Sequence, residues 1–156
     1  LYRVAAEEGV PEAQFNLGLM YDKGQGVPQD YEQALAWYRM AATQGDALAQ
    51  GRLGFMFAKG RGVAQDYEEA SRWYTLAANQ GEASAQYNLG VMYYQGKGLP
   101  QDYVLAHFWL NISASRGHEP AGRLRDALNA KMTPGQVAES QRMARTWKPQ
   151  SGNSLQ

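Results

Sequence analysis

The chain of 156 residues contains no cysteine. This absence excludes disulfide bonds, catalytic thiolates and zinc sites built on cysteine, and it does not decide the cellular compartment. An excess of one charge sign is also lacking, because 15 Lys and Arg balance 15 Asp and Glu. A chain without a basic excess has little to attract phosphate groups, so we expect no nucleic-acid partner.

Long hydrophobic runs are missing as well. No segment approaches the roughly 20 apolar residues that a membrane helix needs, so we expect no membrane insertion. No charged start followed by an apolar stretch marks a signal peptide. Hydrophobic residues make up 44% of the chain and aromatic residues 12%. That content is enough for a packed core.

An internal repeat dominates the sequence. Residues 24–59 align with residues 60–95 without a gap, and 20 of the 36 aligned positions are identical. A third copy begins at Gly96, and residues 1–23 match the back part of the same unit. A period of this length, with helical spacing inside it, is typical of a helix-turn-helix solenoid in which each unit buries its apolar face against its neighbours.

The repeat predicts a single domain of successive units without linkers. The chain begins at Leu1, inside the pattern of a second helix, so we expect earlier repeats upstream. If Leu1 is instead a true terminus, the apolar face of Leu1, Tyr2, Val4 and Ala5 offers a surface for self-association. The predicted divisions are the end of an earlier unit (1–9), full units (10–45, 46–81 and 82–117), capping helices (118–148) and a tail (149–156).

The first helix of each unit carries a glycine in its interior, at Gly18, Gly54 and Gly90. Glycine at such a position costs about 1 kcal/mol relative to alanine. A structural gain must offset this cost, and we predict that the gain is the close approach of the partner helix.

The second helix begins at a residue suited to cap it: Asp30, Asp66 or Asp102. Gln33 and Glu69 stand three positions later, where the partner in a capping box stands. The sequence therefore predicts well-defined starts for these helices, with a capping box at two of them. Beyond the last full unit, Thr133, Pro134 and Gln136 predict the start of a closing helix whose inner side carries Val137, Ser140, Met143, Ala144 and Trp147.

Residues 47–81 carry alanine, Leu-Gly, GxGV, aspartate and Trp-Tyr at fixed spacing, and together they resemble the Sel1-like repeat. The closing segment MTPGQVAESQRMARTWKP resembles the helix that often follows the last such repeat. The resemblance implies an all-α, right-handed α/α superhelical solenoid related to tetratricopeptide repeats, and a scaffold or adaptor that binds a protein or peptide. It also implies a bacterial source, with a periplasmic or secreted location favoured over the cytoplasm.

In solenoids of this geometry the first helices line a concave groove. Positions that vary between copies are free to contact a partner there: aromatics as anchors, amides for an extended backbone, and Arg52 and Lys59 for a carboxylate. By resemblance, Asn16 and Asn88 match a ligand-contacting asparagine of tetratricopeptide clamps. The alternative is that these side chains pack between helices. The predicted groove residues are Phe15, Asn16, Leu19, Lys23, Arg52, Phe55, Lys59, Tyr87, Asn88, Val91 and Tyr94.

Signals for catalysis are few. His107 and His118 are the only histidines and form no HExxH motif, so a metal site would need ligands from elsewhere. The paired glycines between the helices lack the GK[ST] of a phosphate loop. We expect no catalytic activity, no cofactor and no metal. An envelope or glycan-binding protein that uses Trp and Tyr faces is the alternative function, and a hydrolase is the least favoured one.

Overall fold

The computed structural model describes residues 1–151 as a stack of α-helices without strands. The predicted all-α solenoid of helix-turn-helix repeats is therefore confirmed. The predicted tail extends to residue 156, and its residues 152–156 lie outside the described part. The helices of residues 1–151 are α1 (Tyr2–Glu7), α2 (Pro11–Lys23), α3 (Tyr31–Thr43), α4 (Ala47–Lys59), α5 (Tyr67–Asn79), α6 (Ala83–Gln95), α7 (Tyr103–Ser115), α8 (Glu119–Asn129) and α9 (Pro134–Thr146).

The helices pack in the order of the chain. Within the units α2 packs on α3, α4 on α5 and α6 on α7, and the second helix of each unit also packs on the first helix of the next. Helix α1 packs on α2 in the same way as α3 packs on α4. Leu1, Tyr2 and Val4 remain exposed on this helix end. They belong to the apolar face that was predicted to offer a surface for self-association.

Interior glycines allow the two helices of a unit to touch. A Cβ atom added to Gly18 would lie 2.7 Å from Cδ1 of Tyr38, and one added to Gly54 would lie 2.7 Å from Cδ1 of Tyr74. In the third unit Leu110 takes the place of the tyrosine, and its Cγ would lie 2.9 Å from a Cβ atom added to Gly90. The predicted close approach is confirmed at each of these glycines, and the tyrosine rings that it admits are buried in the core.

The predicted caps of the second helices are also confirmed. Asp30 Oδ1 accepts hydrogen bonds from the backbone N–H groups of Glu32 and Gln33, each at 3.0 Å. Asp66 and Asp102 each accept from the N–H three residues ahead. Such a cap satisfies backbone donors that have no partner inside the helix.

The capping box predicted at Gln33 and Glu69 was wrong. The backbone N–H of Asp66, which the box requires, instead donates to the carbonyl of Phe57 at 2.9 Å. The Glu69 carboxylate accepts from Nε1 of Trp73 at 3.1 Å. In the first unit the backbone N–H of Asp30 likewise donates to the carbonyl of Tyr21 in the preceding helix.

The C-terminal helices depart from the regular stack. The predicted capping box forms at Thr133 and starts α9. Among the described helices α9 packs on α7, without the extensive contact with α8 that a regular unit would have. The ring of Trp147 meets Trp109 edge-on at 6.1 Å between centroids. The backbone N–H of Gln150 donates to the carbonyl of Asn79 at 2.7 Å, so the segment after α9 is joined to α5.

Candidate functional site: two adjoining pockets

The first helices of the second and third units frame two adjoining pockets, which together we call the groove. Phe55, Tyr74 and Asn88 border both pockets. The first, the gap pocket, has a volume of about 300 Å³ and is further lined by Phe15, Leu48, Gly51, Arg52, Glu82, Ser84 and Ala85. The second, the lysine pocket, has a volume of about 390 Å³ and is further lined by Ala58, Lys59, Tyr67, Val91, Met92, Gln95 and Lys97.

The gap pocket exists because the second unit lacks a side chain at one position. Gly51 stands where the neighbouring units carry Phe15 and Tyr87. A Cβ atom at Gly51 would lie 3.3 Å from Oε2 of Glu82, which forms one wall. Leu48 is 53% exposed at the rim. It is an apolar residue at a position that is polar in both neighbouring units.

Tyr74 supplies a polar group between the two pockets. In the first unit the hydroxyl of Tyr38 donates to Oδ2 of Asp22 at 3.2 Å. Ala58 stands in the place of that aspartate in the second unit, and the Tyr74 hydroxyl has no hydrogen-bond partner within residues 1–151. Burial, together with the nearby charge of Glu82, raises the pKa of Tyr74 far above its usual value. The hydroxyl therefore stays protonated and can donate to a ligand.

Glu82, at the edge of the gap pocket, is the N-cap residue of α6. It caps α6, where its carboxylate accepts from the N–H of Ala85 at 2.6 Å and from the N–H of Ser84 at 3.2 Å. The positive end of the helix dipole offsets part of its charge. Arg52 lines the same pocket, so the gap pocket contains one charge of each sign.

The lysine pocket is lined by Lys59 and Lys97 and by no acidic residue. The Lys97 ammonium lies 5.4 Å from the ring centroid of Tyr67, and the Lys59 ammonium lies 6.0 Å from that of Phe55. Arg61 adds a third cation over Phe55, at 5.1 Å. These cations are exposed, so their attraction to the aromatic faces is weak and their charges remain available to an anion.

Six of the eleven residues predicted for the groove line these pockets. The structure brings them together from three first helices: Phe15, Arg52, Phe55, Lys59, Asn88 and Val91. Asn88 makes no side-chain hydrogen bond within residues 1–151, in contrast to Asn16. The Asn16 amide donates to the carbonyl of Glu12, one turn earlier in the same helix, at 2.9 Å.

The other predicted residues lie outside these pockets. The ring of Tyr87 packs against His118 in a tilted arrangement with centroids 4.8 Å apart, and the ring of Tyr94 stacks on Tyr103 with centroids 5.8 Å apart. Lys131 also donates to the Tyr94 hydroxyl at 2.8 Å. Leu19 and Lys23, like Asn16, line neither pocket.

Sequence reasoning assigned Tyr74 to the core and did not single out Leu48, Glu82 or Lys97 for the groove. A position-by-position comparison of units would have found Leu48, because its neighbours at that position are polar. Lys97 follows the end of α6, and its place beside the groove depends on how the loop folds.

A serine and a histidine meet in the structure, but away from the groove. His107 Nδ1 lies 2.7 Å from Oγ of Ser140, and both side chains are buried between α7 and α9. The pair joins two helices and is almost fully shielded from solvent. Among residues 1–151 no cluster of His, Asp and Glu is suited to hold a metal ion. In that same part of the chain no helix is both long and apolar enough to cross a bilayer.

Comparison with known proteins gives one family. The family model described as Sel1 repeat matches residues 11–46, 47–82 and 83–118. A Sel1 repeat protein from Oxalobacter formigenes, known from its crystal structure, is 40% identical with a TM-score of 0.75; the match covers 81% of this chain and 95% of that one. A search of curated proteins gave no significant match.

A second solved structure is c5321, a protective antigen present in uropathogenic Escherichia coli strains and displaying an SLR fold. It is 29% identical with a TM-score of 0.69. The match covers 97% of this chain but 40% of c5321, so the present chain corresponds to less than half of that protein.

Proposed function

Since the chain belongs to the Sel1 repeat family, we propose that it is a protein-interaction module whose groove binds a segment of a partner protein. The observation that carries this proposal is the difference between repeated and variable positions. The repeated residues, such as Leu53 and Gly54, are buried and build the stack. Most of the residues that line the two pockets vary between units, and the exceptions are Tyr67, Ala85 and Met92.

The chemistry of the groove suits an extended peptide. Phe55 and Val91 provide apolar walls, while the Asn88 amide and the Tyr74 hydroxyl have no partner within residues 1–151. An extended peptide presents unpaired backbone N–H and C=O groups, which an amide and a hydroxyl can satisfy. No catalytic step is part of the proposal, because Ser84 in the gap pocket bonds Glu82 through its backbone N–H and its hydroxyl makes no hydrogen bond to a base within residues 1–151.

The glycan alternative receives less support. Sugar binding would require open tryptophan or tyrosine faces, but the tryptophans pack within the helix stack. Trp109 is buried, and Trp37, Trp73 and Trp147 are partly buried against core residues. Tyr87 and Tyr94 are covered on one side by His118 and Tyr103.

Asn16 and Asn88 provide a matched test, since they occupy the same repeat position and only Asn88 lines the pockets. Peptides selected on the wild-type protein from a random peptide library serve as probes, and their affinities are measured by fluorescence anisotropy. We expect Asn88→Ala to weaken binding roughly threefold to tenfold, the effect of one lost hydrogen bond. Asn16→Ala should leave the affinity unchanged. Equal affinities for both variants and the wild type would place the binding site elsewhere.

A further inference from the structure

The second unit differs from its neighbours at two positions on the same face of α4. Gly51 replaces the aromatic residue of both neighbours, and Leu48 replaces a polar residue. The first change opens the gap pocket, and the second adds an apolar side chain to its rim. Both changes favour an apolar occupant, and neither serves the contacts between units that are repeated along the stack.

We propose that the bound segment is acidic and carries a large apolar or aromatic side chain, which fills the gap pocket while a neighbouring carboxylate lies at the lysine pocket. This inference rests on the proposed function, because it specifies the kind of segment that the groove accepts. It assigns separate roles to the two pockets: Gly51 selects the apolar side chain, and Lys59 and Lys97 select the acidic one.

The size of the gap pocket supports an aromatic occupant. Phe15 and Tyr87 show that an aromatic ring fits at this repeat position without disturbing the helix. The space left at Gly51, about 300 Å³ with its surroundings, is bounded by Phe15, Phe55 and Leu48. An inserted ring would meet apolar walls on these sides, and burial of a large apolar side chain in such a pocket is a strong source of affinity.

The charges of the groove support an acidic segment. Within residues 1–151 every ion pair involves Arg72, Arg123 or Arg125. Lys59 and Lys97 consequently have no carboxylate partner in that part of the chain. The nearest acidic wall residue, Glu82, lines the gap pocket and is engaged in capping α6. An acidic ligand would complement the unpaired lysines, which increases the association rate and selects against basic segments.

Tyr74 and Asn88 lie between the two pockets and connect their roles. Tyr74 is 3% exposed, and its hydroxyl has no partner within residues 1–151. A segment that spans the pockets passes these two groups with its backbone. The hydroxyl can then donate to a backbone carbonyl between the apolar and the acidic side chains.

The experiment begins with peptides selected on the wild-type protein from a random peptide library. We expect the enriched sequences to contain Asp or Glu close to Phe, Tyr, Trp, Leu or Met. Affinities are then measured for Gly51→Phe, which fills the gap pocket, and for the double variant Lys59→Glu with Lys97→Glu. The single variant Arg142→Glu on α9 is the charge control, because this exposed residue lies outside both pockets.

We expect Gly51→Phe to weaken binding about tenfold or more, the effect of losing a buried anchor. Replacing the apolar residue of the peptide by alanine should weaken binding to the wild type but have little further effect on Gly51→Phe, as in a double-mutant cycle. The double lysine variant should bind roughly tenfold more weakly at low salt and lose most of its salt dependence. Arg142→Glu should change affinity little. Circular dichroism verifies that each variant remains helical.

Different results would contradict this inference alone or contradict it together with the proposed function. If the selected peptides lose affinity with Asn88→Ala but are neither acidic nor apolar, this inference is overturned and the proposed function stands. If binding is unaffected by every groove substitution, or if no peptide is enriched, both proposals are contradicted.

Discussion

The ring of Tyr74 lies directly against Gly54, so that three of its ring atoms would stand 2.7, 2.8 and 2.9 Å from a Cβ atom at residue 54. This contact fixes the distance between α4 and α5. It also places Tyr74 beneath the groove, where its side chain borders both pockets. The lack of a side chain at Gly54 therefore determines both how α4 packs on α5 and where Tyr74, a candidate ligand-binding residue, is placed.

Gly54→Ala should destabilise the protein. Alanine favours the helix by about 1 kcal/mol, but the added methyl group would overlap the buried Tyr74 ring. Overpacking of this kind costs about 1–3 kcal/mol. Urea unfolding of the two proteins measures the difference.

Gly122→Ala in α8 is the matched control for this change. A Cβ atom at Gly122 would lie 3.7 Å from Cβ of Ala114, which is an ordinary contact distance. We expect a gain in stability of about 0.5–1 kcal/mol from the helix preference alone. Equal stabilisation by both substitutions would show that α4 and α5 do not meet closely at Gly54.

A glutamine pair joins the first helix of a unit to the end of the second helix of the same unit, and the third unit lacks this pair. Nε2 of Gln80 donates to Oε1 of Gln50 at 2.7 Å, and the preceding unit repeats this bond. Arg116 occupies the donor position in the third unit and lies over the Trp147 ring at 5.4 Å. Oε1 of Gln86 is buried and has no hydrogen-bond partner among the described residues.

Arg116→Gln should restore the missing bond. The substitution removes the contact with Trp147 but supplies an amide donor for Gln86, whose buried carbonyl oxygen otherwise carries a penalty of about 1–3 kcal/mol. Arg116→Leu removes the same contact without supplying a donor. Chemical denaturation should show the glutamine variant to be more stable than the leucine variant by about 1 kcal/mol or more. If the leucine variant is equally stable, Gln86 does not lack a partner in solution.

His107 should make the stability depend on pH. Burial lowers the pKa of His107 below its usual value of 6.5, with Arg125 adding to the effect and Asn129 and Asp126 opposing it. Below pH 6.5 the unfolded chain therefore binds more protons than the folded one, so stability is complete above this pH and falls as the pH decreases toward the folded pKa. The same protonation would place a charge beside Ser140 between α7 and α9.

The comparison that tests this is the melting temperature of the wild type and of His107→Gln between about pH 7.5 and 5, a range that spans the unperturbed histidine pKa. We expect the wild type to lose more stability than the variant as the pH falls. Parallel curves would show that His107 has the same pKa in the folded and unfolded states.

The period of the sequence was sufficient to predict the helix pairs, the capping aspartates and the close contact at Gly54. It could not predict that His118 covers Tyr87 or that Lys131 bonds to the Tyr94 hydroxyl, because His118 and Lys131 belong to the segment after the last regular unit. Nor could it predict that α9 folds back on α7. The residues that direct this packing, such as His107, occupy positions that the repeat leaves variable.

Gly51 shows a different limit of prediction from the sequence. The change from an aromatic residue to glycine is visible when the units are aligned. Whether the space is filled by a neighbour or left open depends on the side chains of four helices, α2, α4, α5 and α6, and the structure leaves it open. The sequence did not predict the capping role of Glu82 either, because this role depends on where α6 begins.

The most direct test is to map the bound peptide by NMR, using the backbone amide signals of the labelled protein with a peptide selected from the random library. The proposed function predicts that the largest shifts occur at groove positions, including Gly51, Phe55 and Asn88. Ala36 and Arg72, exposed on α3 and α5 outside both pockets, should be unchanged. Shifts concentrated around Ala36 and Arg72, with the groove signals unmoved, would contradict the account.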